Sequence, residues 1–431
     1  MTSGGRLYAA SDSGARPAAE ALAWLWRLGA VGGAPDGSAV GFGTLSEEAD
    51  LTALTEAGRL EGTVLFAPEP GPASGPVPAR RAASGRARFD RGGRIRGEFA
   101  LFEDGTPVVK SSLGLHAVRD ERALMLAADP ATAWTELRGF WCLRALAEFL
   151  PEKLGRPLVL LPPLGCVRLD DVPGTAQHQV EGHAKPDRRQ RRRIERMRRV
   201  YAAAGARLNV AVCSRALADG RQVPLDEVWP GSVEALAAGA GDGAFEPVCH
   251  GWLHLDPGEL ERGQVEFREF AALDEAEAGR RIDESLTWQE QALGRRPDTF
   301  VAPAWGYSEG THAAAAARGL PAWQRPALGP LIVNGNPHET IDSALRGLSG
   351  LDYRPLAELA SFGLPPTPVL HGGLFDLRMQ QLRQERDVLG FGRLLLRRDL
   401  LRLAELPGVR WVGAGELVAA LREHDAAEQS G

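Results

Sequence analysis

The sequence predicts an α/β fold in two parts, each with helices packed on a largely parallel sheet, and three observations predict it. Short apolar runs alternate with helical periodicities through most of the chain. A Pro, Gly and Ala-rich stretch from Pro68 to Ala83 and a junction over residues 151–165 interrupt that alternation. Beyond the junction, polar residues cluster just after the apolar runs, where parallel sheets gather the side chains that do chemistry. The expected units are an α/β three-layer domain over residues 1–150, a larger domain over 160–421, and a frayed, disordered tail over 422–431. A chain of 431 residues, 44% hydrophobic and 25% charged, has the length and balance for such cores.

In the first part, "RLYAA", "AVGFG" and "TVLFA" read as strands, and "AAEALAWLWRLGA" and "EEADLTALTEAGRL" read as the helices between them, which is a βαβαβ order. Asp104-Gly105 in "EFALFEDGTPVVK" has the composition of a tight hairpin turn. "RALMLAADPATAWTELRGFWCLRALAEFL" then reads as a strand followed by a long amphipathic helix. No nucleophile motif or phosphate loop occurs there.

In the second part, six apolar runs end in "VRLDD", "RLNVAVCS", "AFEPVCH", "DTFVAP", "PVLHGG" and "VRWVGAGE". Between the first two, "RRQRRRIERMRR" at residues 188–199 is expected to open a helix after Pro186 and Asp187 that runs to Ala204. Its arginines read as a solvated face paired with nearby Glu and Asp. The net charge of −6 argues against a general affinity for nucleic acid or an anionic membrane. The four cysteines, Cys142, Cys166, Cys213 and Cys249, form no C-x-x-C pair and read as buried reduced thiols. With no signal-like leader and no run of 18 apolar residues, the chain is expected in the cytoplasm.

The chemistry concentrates in a few places. Asp170 and Asp171 end an apolar strand, and adjacent carboxylates there point in different directions, so one binds a cation while the other stays free as a base. His250 and His254 in "CHGWLHLDP" meet if one turn lies between them, with Gly251 permitting a close backbone approach. One carboxylate and two imidazoles make a facial set suited to zinc, with cobalt, nickel, manganese and iron compatible with the same donors. Such a cation brings the pKa of a bound water from 15.7 toward ~7. His371 ends another strand-like run and reads as a proton donor, while "FVAPAWGYS" offers Trp305 and Tyr307 as walls and backbone N–H groups near Ala304 for an oxyanion. Trp252, between the two histidines, is a further candidate substrate contact.

In this chain order the pieces resemble the polysaccharide deacetylase family, carbohydrate esterases with the NodB-homology fold, over about residues 160–420. The resemblance implies a distorted (β/α)7–8 barrel and metal-assisted amide hydrolysis. Asp170 would be general base, Asp171, His250 and His254 metal ligands, and His371 general acid. Two departures stand out: the Arg that usually braces the base is replaced by Val301, and "RLDDVPG" lacks the Gly that commonly follows Asp-Asp directly. The Asp that orients the acid histidine corresponds to Asp342 or Asp352. The first 150 residues resemble glutamine-amidotransferase-like or flavodoxin-like domains, without a catalytic cysteine motif.

The function expected is N-deacetylation of an amino sugar or sugar-like metabolite, with a small molecule or glycan as the only partner. A metal-free cyclic-amide hydrolase and a silent carbohydrate-binding protein are the alternatives, and the sequence is mute on oligomeric state.

Overall fold

The computed structural model describes residues 6–66, 106–126, 137–256, 268–322 and 404–429 apart from short breaks, and shorter pieces at 332–333, 336–337, 360–363 and 369–371. The first apolar alternation becomes β1 (Arg6–Tyr8), α1 (Arg16–Trp26), β2 (Ala39–Thr44), α2 (Glu48–Glu56) and β3 (Gly62–Phe66). Pro17 pre-sets φ in the first turn of α1, and the residues from Ala21 to Trp26 are all buried, so this helix is enclosed rather than amphipathic. β4 (Thr106–Ser111), β5 (Gly114–Arg119), β6 (Ala123–Leu126) and α3 (Leu137–Leu154) follow. The strands form one sheet in the order β1-β2-β3-β6-β5-β4. Pairing is parallel from β1 to β6 and antiparallel at β5 and β4. The expected turn at Asp104-Gly105 and the stretch Pro68–Ala83 lie outside the described residues. α3 continues through Pro151 to Leu154, so the helix outruns the expected boundary at residue 150.

The second part opens with β7 (Leu164–Gly165), β8 (Val167–Asp170), α4 (Ala176–Val180), α5 (Asp187–Ala204) and β9 (Leu208–Val212). Next come β10 (Arg215–Ala218), β11 (Arg221–Pro224), α6 (Leu225–Val228), α7 (Pro230–Gly241), β12 (Phe245–Cys249) and α8 (Glu275–Leu293). α9 (Glu309–Ala317), β13 (Ile332–Val333), β14 (Asn336–Pro337), β15 (Val369–His371), β16 (Arg410–Trp411) and α10 (Ala414–Gln429) complete it. A parallel sheet of order β12-β9-β8-β15 forms its centre. Bridges from Phe300 to Cys249 and to Ala322 extend it. β8, β9 and β12 are buried along their whole length, as expected for strands covered on both faces. Parallel pairing aligns the strand ends, so Asp170, His250 and the residue pairs beyond them emerge on one side.

Buried Asn209 ties this layer together. Its amide donates to the carbonyls of Val167 and Val412, and its oxygen accepts from Ala414 N–H at 2.7 Å. A buried amide left without these partners would cost about 1–3 kcal/mol, which fixes the approach of α10. Residues 422–429, expected as a frayed tail, instead continue α10 as helix. His424 is buried there, with its ring edge-on to Trp24 and its Nε2 at 2.9 Å from the Trp24 carbonyl of α1. That contact holds the end of the chain down.

The arginine-rich segment is helical over Asp187–Ala204, burying Ile194, Met197 and Tyr201. Arg191 pairs with Glu195 and Glu234, and Arg198 with Asp242, as a solvated and internally compensated face would. Among the described residues, no helix is long and apolar enough to cross a membrane.

Candidate metal centre

The site is built from three chain turns at the ends of β8 and β12 and before α9. Asp171 follows β8 directly with φ 64°, and His254 sits four residues past His250 with φ 62°. Ala304, in the short helical turn Pro303–Trp305, has φ 49°. A left-handed backbone at a non-glycine residue costs roughly 1–2 kcal/mol, and such strain gathers where a side chain must be aimed. Here the strain turns Asp171 and His254 toward one another. Gly251 has φ 79°, and a Cβ there would lie 2.5 Å from Phe270 Cε2, so only glycine fits the close approach.

The donor atoms of Asp171, His250 and His254 all lie within 4.8 Å of one another, and all three residues are buried. Asp171 Oδ1 is 3.2 Å from His250 Nε2 and 3.3 Å from His254 Nε2. Tetrahedral ligands held at 2.0–2.1 Å from zinc stand about 3.3–3.4 Å apart, so these separations match two edges of such a shell. His250 Nδ1 donates to the Val301 carbonyl at 3.0 Å, which leaves Nε2 as the metal-facing nitrogen. His254 Nδ1 is buried and has no hydrogen-bond partner among the described residues. The donor set fits a divalent cation.

The electrostatics agree. Burial pulls the His254 pKa down to about 4 against the attraction of Asp171, so this imidazole is a neutral donor at neutral pH. Burial also opposes charge on His250, but its hydrogen bond to Asp171 and the fields of Asp170 and Asp171 outweigh it and raise its pKa. Without a cation a proton on Nε2 completes the pair with Asp171; with one, the cation takes its place. Burial raises the neighbouring thiols, Cys249 to about 12, so neither it nor Cys213 competes as a thiolate. Cys166, Cys213 and Cys249 are all buried and outside any disulfide.

Asp170 lies apart from this cluster and has its own partner. Arg168 Nε donates to Asp170 Oδ1 at 2.6 Å and Nη2 to Oδ2 at 2.9 Å, with both side chains almost wholly buried. Two positions apart on β8, the side chains share one face of the strand. The charge next to Asp170 thus comes from the same strand, while position 301 carries a valine. The Val301 backbone accepts from His250 and donates to the Cys249 carbonyl at 2.9 Å, while its side chain packs in the core.

A third carboxylate holds the histidine loop. Buried Glu269 accepts through Oε2 from the N–H groups of Trp252, Leu253 and His254 at 3.3, 2.9 and 2.8 Å, and lies 3.5 Å from Arg281. Ser285 of α8 donates to the Gly251 carbonyl at 2.7 Å. The loop is therefore clamped along its backbone.

The other expected site residues are distributed as follows. In the parallel register of β15 and β8, His371 stands beside Asp170. Trp252 is only 9% exposed, with the guanidinium groups of Arg215, Arg280 and Arg281 within 4.9–5.4 Å of its ring. Tyr307 stacks on His312 at 4.8 Å, and its hydroxyl accepts from Ala302 N–H. Ala304 is half-buried in its turn, while the side chain of Trp305, together with Asp342 and Asp352, lies outside the described residues.

Neither a family model nor a curated protein matches the chain. Among solved structures, a peptidoglycan deacetylase from Bacillus subtilis is 14% identical, with 62% of this chain and 95% of that one covered at a TM-score of 0.32. A family 4 carbohydrate esterase from Streptomyces lividans is 12% identical over 59% of this chain and 93% of that one, at 0.30. A family 4 pseudoenzyme from Bacillus anthracis is 7% identical over 60% and 66%, at 0.32.

Proposed function

We propose that this chain is a metal-dependent amide hydrolase, an N-deacetylase acting on an amino sugar or sugar-like metabolite, built on a barrel of NodB type. The observation that carries the proposal is the separation of two adjacent carboxylates into two tasks. Asp171 faces two imidazole nitrogens, while Asp170 is gripped by Arg168. When bound by Asp171, His250 and His254, a zinc or similar ion would supply Lewis-acid polarisation and a more acidic water.

The protein's own groups do the rest. Asp170 accepts the proton of the attacking water, and Arg168 compensates its charge and fixes its plane. His371, beside Asp170 in register, gives a proton to the departing nitrogen. A backbone N–H near Ala304 would stabilise the developing oxyanion, and Tyr307 and Trp252 are the candidate substrate contacts among the described side chains. The complete donor set argues against the metal-free alternative.

Two measurements test this reading. Acetate release from model N-acetyl sugars, with metal content determined on the same sample, should show chelator-sensitive turnover. Asp170→Asn should keep the metal and lose turnover, whereas Asp171→Ala and His254→Ala should lose both. Full activity in metal-free Asp171→Ala would refute the proposal.

A further inference from the structure

A third histidine reaches the same carboxylate from the opposite side. His178, in the first turn of α4, is 8% exposed and lies in the loop that follows Asp171. Its Nδ1 is 3.2 Å from Thr175 N and 3.2 Å from Thr175 Oγ1, while its own N–H donates to that hydroxyl at 3.4 Å. A backbone N–H can only donate, so Nδ1 is an acceptor and the proton of the neutral ring sits on Nε2. That Nε2–H stands 3.9 Å from Asp171 Oδ2. The two oxygens of Asp171 therefore face different partners: Oδ1 faces His250 and His254, and Oδ2 faces His178.

We infer that His178 is a positioning residue for the ligand carboxylate. Its Nε2–H, 3.9 Å from Asp171 Oδ2, holds that oxygen through one bridging water, so that Asp171 offers the metal a single oxygen. The Thr175 cap fixes the donor tautomer, and the burial of the ring fixes its aim. Hydrogen-bonded partners of this kind behind a metal ligand are worth about 10–100-fold in metal affinity. The inference rests on the metal-site reading above and adds a residue to it.

The amide side chains separate the two ring nitrogens. The Asn side chain overlays Nδ1 and keeps an acceptor for Thr175 N–H, whereas that of Gln reaches the position of Nε2 and restores a donor. Zinc affinity is measured by competition with a chromophoric chelator on wild type, His178→Asn and His178→Gln, with melting of the metal-free proteins followed alongside. The expected result is wild-type melting for His178→Asn with zinc affinity about 10–100-fold weaker, and recovery of most of that loss in His178→Gln. Wild type that binds no zinc overturns both this inference and the metal-site reading. Wild-type zinc affinity in His178→Asn overturns the inference alone. Equal weakening in both variants with lowered melting assigns His178 to the loop's fold and also overturns it.

Discussion

Replacing Arg168 with Met removes a charge bonded to both oxygens of Asp170 while keeping most of the side chain's volume. The pair is 1% and 2% exposed, so water cannot take the guanidinium's place without opening the strand. With charge centres about 4 Å apart and an effective dielectric near 20, the lost attraction is about 4 kcal/mol. Removing one partner of a buried ion pair characteristically costs about 3–5 kcal/mol, because the other charge is left uncompensated. Arg168→Met should therefore destabilise the chain by about that amount in urea unfolding, and Asp170→Asn by less. The double variant should recover part of the loss, giving a coupling of at least about 2 kcal/mol in the cycle. Turnover should fall in Arg168→Met even under conditions where the variant is fully folded. Additive effects in the cycle, or unchanged stability in Arg168→Met, would refute the brace.

Glu269→Gln should cost about 1.5–3 kcal/mol in urea unfolding and weaken metal binding, because one carboxylate carries three N–H groups of the His254 loop and faces Arg281; unchanged metal affinity would show that the clamp does not position His254. Gly251→Ala should destabilise the fold and displace His250, since the new methyl meets Phe270 in a left-handed backbone; a crystal structure of the variant with an unmoved loop would contradict this. The metal-free protein should lose about 3 kcal/mol through His254 as pH falls from 6.5 toward 4. Its folded pKa lies below the unfolded value, so the stabilisation is complete above 6.5 and disappears as the ring is forced to protonate. His254→Gln should remove that share of the acid dependence, which urea titrations at pH 7 and 4.5 would register.

The strands and helices were legible because their signals are local. "RLNVAVCS" and "AFEPVCH" are mainly apolar runs of strand length, as a doubly covered strand has, and Pro186 with Asp187 marks where α5 begins. The donor set was legible for another reason: Asp171 and His250 each stand just past such a run, where a parallel sheet delivers its ends, and His254 follows four residues later. What holds them in place was not. Arg168 was missed because its partner was sought far away in sequence, although a spacing of two on a strand places both side chains on one face. His178 carried a fainter signal, a Thr three residues before it that caps the turn. Glu269 had none, since its three partners are backbone N–H groups that no residue pattern records. The end of the chain was misread because the burial of His424 against Trp24 depends on a contact spanning almost the whole sequence.

X-ray absorption at the zinc edge, on wild-type protein loaded with one equivalent of zinc, tests the central claim most directly. Two imidazole nitrogens and at least one oxygen at about 2.0–2.2 Å are expected, with one nitrogen lost in His254→Ala and binding abolished in Asp171→Ala. A zinc shell without histidine, or one unchanged by both substitutions, would contradict the account.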